Sequence, residues 1–164
     1  MDRLAVALEH GQLRSDGPAA TRDIGRALGR EAAPGTLIAL VGELGAGKTQ
    51  LAKGVAEGLG VPTVVNSPTF VLMNEHAGRL RLYHVDAYRL EEPEEAADAG
   101  LIDDRQADGV VVIEWADRLD GWLPPERLEI AIEVDSPDPS GRTLRWTARG
   151  VDHGRLADAA LVRS

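Results

Sequence analysis

Gly42 to Thr49 reads GELGAGKT, which fits the pattern GxxxxGK[ST] of a loop that cradles phosphates. Glycines allow the tight turn that points several amide N–H groups at one anion, and a helix starting near Lys48 adds its positive end. Lys48 supplies a point charge to the β and γ phosphates, and the Thr49 hydroxyl suits Mg²⁺. The chain has only two lysines, Lys48 and Lys53, against sixteen arginines. A slender ammonium fits between phosphate oxygens where a planar guanidinium would crowd the loop. Such a loop needs a carboxylate opposite it, at the end of a neighbouring buried strand. Two candidates qualify: Asp86 ends RLYHVD and Glu114 ends VVVIE. His84 shares the strand face of Asp86 by the two-residue period. SPTF, Ser67 to Phe70, falls where nucleotide switches carry a threonine that senses the γ-phosphate. Read singly, His84 is a satisfied strand histidine and Trp115 a packing residue.

These groups need elements to hold them. Thr36 to Val41, TLIALV, is a continuous apolar run of strand length, expected to be covered on both faces. Behind the loop, Leu51, Val55 and Leu59 recur four apart beside Ala52 and Ala56, which predicts a helix stopped by Gly60 and Pro62. A short helix is expected over Thr21 to Glu31, ended by Ala32 to Gly35. Thr69 to Glu75 and Leu80 to Val85 predict a hairpin through His76 to Arg79, and Val110 to Ile113 a second buried strand. Alternation over Leu128 to Val134 and again over Thr143 to Thr147 predicts a second hairpin about SPDPSG, Ser136 to Gly141. The tail VDHGRLADAALVRS suits a short helix. One domain over 1–164 is expected from the length.

A net charge of −9 argues against broad adhesion to nucleic acid. Glu91 to Asp108 holds eight acids and one base, Arg105, which marks a solvated face or a docking patch for a basic partner. With no cysteine, disulfides, thiol catalysis and thiolate zinc sites are excluded. The start MDRLAVALEHGQL lacks a basic region followed by an apolar core, and no segment suits a bilayer span. A cytoplasmic protein without membrane attachment is the expectation.

Taken in order, GELGAGKT, SPTF, YHVDAYRL, EEAADAGL and VVIEWADRL resemble the bacterial TsaE family, also called YjeE, over roughly Thr21 to Val134. This resemblance implies an ATPase that serves the threonylcarbamoylation of adenosine 37 in transfer RNA with the TsaB and TsaD proteins, touching the RNA only through that complex. By similarity the loop Glu43, Leu44, Gly45, Ala46, Gly47 and Lys48 wraps the phosphates of ATP. Thr49 and Glu114 serve Mg²⁺, Asp86 is needed for hydrolysis, and Thr69 lies in a switch-like segment. Thr21 matches a family threonine near the adenine, and Arg142, in the loop SPDPSGRT, a basic residue that reaches the nucleotide. Trp115 and EEAADAGL match family features of partner docking.

From the residues alone, rival readings stand beside this one. A small-molecule P-loop kinase would use the same loop but needs an arginine-bearing lid, and Arg79, Arg81 and Arg89 flank a strand without clustering. A regulatory GTPase needs NKxD, and neither Asn66 nor Asn74 precedes a lysine. The expected fold is α/β, a three-layer P-loop NTPase-like arrangement whose mixed sheet includes antiparallel hairpins. Its chemistry would be water attack on the γ-phosphate, with Lys48 and Mg²⁺ stabilising charge and Asp86 or Glu114 placing the water.

Overall fold

TLIALV becomes β2 (Leu37–Gly42), the middle strand of the seven-stranded mixed sheet formed by the described residues, in the order β1-β7-β6-β2-β5-β4-β3. The computed structural model describes residues 8–43, 45–62, 73–90, 92, 94, 107–119, 121–135 and 139–162. Among them β1 is Leu8–Ser15, β3 Met73–His76, β4 Leu82–Asp86, β5 Val110–Glu114, β6 Arg127–Val134 and β7 Arg142–Arg149. β5 and β6 flank β2 in parallel, and β4 runs parallel to β5. The pairs β3–β4, β6–β7 and β1–β7 are antiparallel, so among the described residues both outer strands, β1 and β3, are antiparallel to their neighbours. As the unbroken apolar runs predict, every residue of β5 and the first four of β2 are buried.

Alternation along the strands sorts the core onto two faces. Ile38, Leu40, Val112 and Ile130 face a layer formed by α1 (Pro18–Glu31), α2 (Lys48–Gly58) and α3 (Val151–Ala160). Leu37, Ala39, Val111 and Ile113 face the other way, onto Val85, Ala87, Leu90 and a one-turn 3₁₀ helix, Ala116–Leu119. α1 begins one turn earlier than its periodicity suggests, because Pro18 sits in the first turn, where a missing N–H costs nothing. The tail helix forms, and the second hairpin forms with Arg142 as the first residue of β7 rather than in the loop. Of the first hairpin, Met73–His76 pairs with Leu82–Val85. Thr69 to Leu72, SPTF, Leu44 and most of the acidic stretch 91–106 lie outside the described residues.

α1 and α2 cross at glycines. A Cβ on Gly25 would overlap the Leu51 carbonyl oxygen, and one on Gly54 the Arg22 carbonyl oxygen, with Gly29 and Gly58 equally tight one turn on. The obstructing atoms are backbone, so neither helix can yield without separating. Gly54→Ala should gain about 1 kcal/mol of helix propensity. Overpacking should take away more, about 1–3 kcal/mol beyond that gain, lowering the unfolding midpoint by roughly 3–10 °C. A midpoint unchanged or raised in a thermal melt would contradict this packing. The crossing matters for function because α1 carries Thr21 to the mouth of the glycine loop, where its methyl faces Gly47.

Candidate active site

At the carboxyl end of β2 the chain turns through the glycine loop into α2. Gly45 and Gly47 take φ of +82° and +119°, values that disfavour any Cβ, and Gly47 caps α2 without a side-chain hydrogen bond. The first turn of α2 therefore keeps its N–H groups for a ligand, at the positive end of the helix. Arg142 braces the loop: its Nε donates to the Ala46 carbonyl at 2.8 Å and Nη2 to the Gly45 carbonyl at 3.3 Å, while Nη1 donates to the Pro139 and Gly141 carbonyls. These bonds occupy the Gly45 and Ala46 carbonyls, and the Ala46 N–H closes a turn onto the Glu43 carbonyl at 3.0 Å.

Lys48 folds back beneath this loop. Its Nζ donates to the Gly42 carbonyl at 2.5 Å and to Glu43 at 2.9 Å, and lies 3.9 Å from the centre of the Trp115 ring. Only 4% of the residue is exposed. Burial pushes its pKa down, opposed by the negative charge of Glu114 and Asp117. Trp115 reaches this position through a left-handed backbone, φ +60°, the one non-glycine positive φ among the described residues. Such a conformation costs about 1–2 kcal/mol, so the turn is held by its surroundings, including Tyr88, whose ring centre lies 4.8 Å from the indole.

The two acids end adjacent parallel strands in direct register, Asp86 opposite Glu114, with Glu114 also opposite Leu40 of β2. Glu114 is buried; Oε1 accepts the Thr49 hydroxyl at 2.9 Å and Oε2 meets His84 Nε2 at 2.6 Å. Asp86 is less enclosed, and its Oδ1 accepts the Tyr88 N–H at 2.9 Å. Burial pushes its pKa above the ordinary carboxylate value, an effect partly offset by that N–H. Thr21 is buried, sharing a hydrogen with Ser15 Oγ at 2.7 Å.

One cavity of about 500 Å³ gathers these groups: Thr21, Lys48, Thr49, Asp86, Glu114 and Arg142 all line it, with Gly45, Ala46 and Gly47 as its floor. Glu43 takes part through its carbonyl, while Leu44 and Thr69 lie outside the described residues. Trp115 and Tyr88 form an aromatic wall that sequence reasoning did not assign to the site. Their signal was present, since Tyr88 follows Asp86 by two and Trp115 follows Glu114 by one. A hydroxyl and carboxylates form an all-oxygen set that suits a hard divalent cation. Among the described residues no cluster of three or more His, Cys, Asp or Glu could hold a metal unaided. Magnesium fits that arrangement, because it takes one or two protein oxygens and fills the rest with phosphates and water.

Similarity to known proteins agrees with the geometry. The family profile described as Threonylcarbamoyl adenosine biosynthesis protein TsaE matches residues 15–144. The tRNA threonylcarbamoyladenosine biosynthesis protein TsaE of Bacillus subtilis (strain 168) is 43% identical over 146 residues, covering 88% of this chain and 90% of the relative. Its namesake from Streptomyces coelicolor is 38% identical over 145 residues, covering 86% and 98%. Among solved structures, the crystal structure of Bacillus subtilis YdiB superposes with a TM-score of 0.76 at 34% identity, covering 93% of this chain and 94% of that one. No described helix is long and apolar enough to cross a membrane.

Proposed function

Because the chain belongs to the TsaE family, we propose that it binds ATP with magnesium in this cavity and hydrolyses it during threonylcarbamoylation of adenosine 37 in transfer RNA, acting with TsaB and TsaD. The observation that carries this reading is the meeting of the glycine loop with two strand-end carboxylates around a buried lysine. Loop N–H groups and the start of α2 would bind the β and γ phosphates. Lys48 would exchange two backbone carbonyls and an indole face for phosphate oxygens, a stronger set of partners.

Thr49 and Glu114 would hold magnesium, which when bound neutralises charge developing on the phosphate oxygens. Asp86 stands beside them with its carboxylate fixed by Tyr88 N–H, and would orient the water for in-line attack. Its raised pKa makes it a better proton acceptor than an ordinary aspartate. Arg142 would act on the nucleotide through the loop it braces, and Thr21 sits where the base end would enter.

The test is product analysis with the chain alone and with TsaB and TsaD. We expect ADP and free phosphate, formed slowly alone and faster with both partners, and modified transfer RNA only when this chain is present. Phosphoryl transfer to a metabolite, or selective GTP binding, would replace this reading with a kinase or a GTPase.

The Asp86 environment also predicts a pH effect with a definite sign. With a folded pKa above the unfolded one, the native state holds a proton that the unfolded chain has released, so stability from this group falls as pH rises through that window. Asp86→Asn should therefore raise the thermal midpoint at pH 7 while lowering turnover. The gain should shrink as pH is lowered toward the ordinary value of about 3.9. A midpoint lowered at pH 7 would mean that Asp86 is held for stability, not chemistry.

A further inference from the structure

We propose, resting on the reading of this cavity as a magnesium–ATP site, that His84 is a positioning residue: its Nε2–H fixes Glu114 so that Thr49 presents its oxygen to the cation. His84 lies on β4, one strand away from Glu114, completely buried, with Nε2 2.6 Å from Oε2. An ionised carboxylate only accepts, so Nε2 carries the proton in that pair. The second oxygen of Glu114 accepts the Thr49 hydroxyl at 2.9 Å. A hydroxyl that gives its one hydrogen to a carboxylate turns its lone pairs away from it, here toward the cavity that Thr49 lines. Glu114 thus helps to orient Thr49, and His84 helps to fix the plane of Glu114.

Packing gives His84 no other reason to be a histidine. Its neighbours along β4, Leu82 and Val85, are fully buried apolar residues, and Val112 stands opposite it on β5. His84 Nδ1 is buried with no hydrogen-bond partner among the described residues. A buried polar atom without a partner works against stability. The side chain is therefore retained for the bond made by its other nitrogen. Partners that orient a metal ligand in this way commonly change metal affinity by about 10- to 100-fold when lost.

The experiment titrates MgCl₂ into the 164-residue chain with a fluorescent ATP analogue, reading nucleotide affinity rather than turnover, for the native protein, His84→Gln and His84→Phe. Glutamine places an N–H donor near the position of Nε2; phenylalanine fills the space without one. We expect His84→Phe to need about 10- to 100-fold more magnesium for the same nucleotide affinity, to match the native chain in EDTA, and His84→Gln to stay near the native requirement. An unchanged magnesium requirement in folded His84→Phe, or an equal loss in both variants, would overturn the proposal. Should the phenylalanine variant fail to fold, His84→Asn, whose amide is too short to reach Glu114, carries the same expectation. A native chain with no magnesium-dependent nucleotide binding would instead overturn the site itself, and the role of His84 with it.

Discussion

Lys48→Ala should weaken ATP binding by about 10- to 100-fold, the loss of one charge-assisted bond worth roughly 1.5–3 kcal/mol. Turnover should fall further, since charge on the γ-phosphate grows in the transition state. The fold should tolerate the change. What Lys48 touches in the free protein is two loop carbonyls and the Trp115 ring, and its burial already disfavours its charge. Removing the ammonium relieves that penalty, so stability and binding should part company: a thermal midpoint near native beside a large loss of affinity. Lys48→Arg should not rescue, because the guanidinium cannot fit beneath a loop closed by Gly42 and Glu43. Calorimetry with ATP and magnesium checks both variants, and unchanged affinity in Lys48→Ala would refute the assignment.

Glu114→Gln and Asp86→Asn should each lower turnover by about 10²- to 10³-fold, but for different reasons. Glutamine fits the space of Glu114, accepting from Thr49 with its oxygen and donating to His84 after a change of tautomer. The charge is lost while the geometry survives. Higher magnesium should then recover part of the activity in Glu114→Gln, because the defect lies in holding the cation. Asp86→Asn should bind nucleotide and magnesium normally and stay slow at saturating metal. Steady-state kinetics across a magnesium series separates the two patterns. Full turnover in both variants would mean that the chemistry lies elsewhere.

Central parts of this arrangement were legible in the sequence because local pattern and burial agree there. TLIALV and VVVIE are apolar without alternation, and only strands covered on both faces need that. Each ends where polarity resumes, which put Glu114 and the glycine loop at the same end of the sheet. β1 was not legible: in LEHGQLRS the two leucines fall on opposite faces, and Leu8 is exposed on an edge strand. Its pairing with β7 places Gly11 under the Trp146 ring, a contact between residues 135 positions apart that no local window could carry. The glycine crossing of α1 on α2 uses Gly25, Gly29, Gly54 and Gly58, and their spacing alone does not state that the two helices meet there. The roles of Trp115 and His84 depend on which side chains meet across strands, and neither periodicity nor composition states that.

A crystal structure of the chain with magnesium and a non-hydrolysable ATP analogue tests the central claim most directly. We predict the triphosphate lying along Gly45 to Thr49, Lys48 Nζ moved from the Gly42 and Glu43 carbonyls onto phosphate oxygen, and the cation beside Thr49 and Glu114. Phosphates bound outside this cavity, or a lysine still seated on its own loop with the nucleotide in place, would contradict the account.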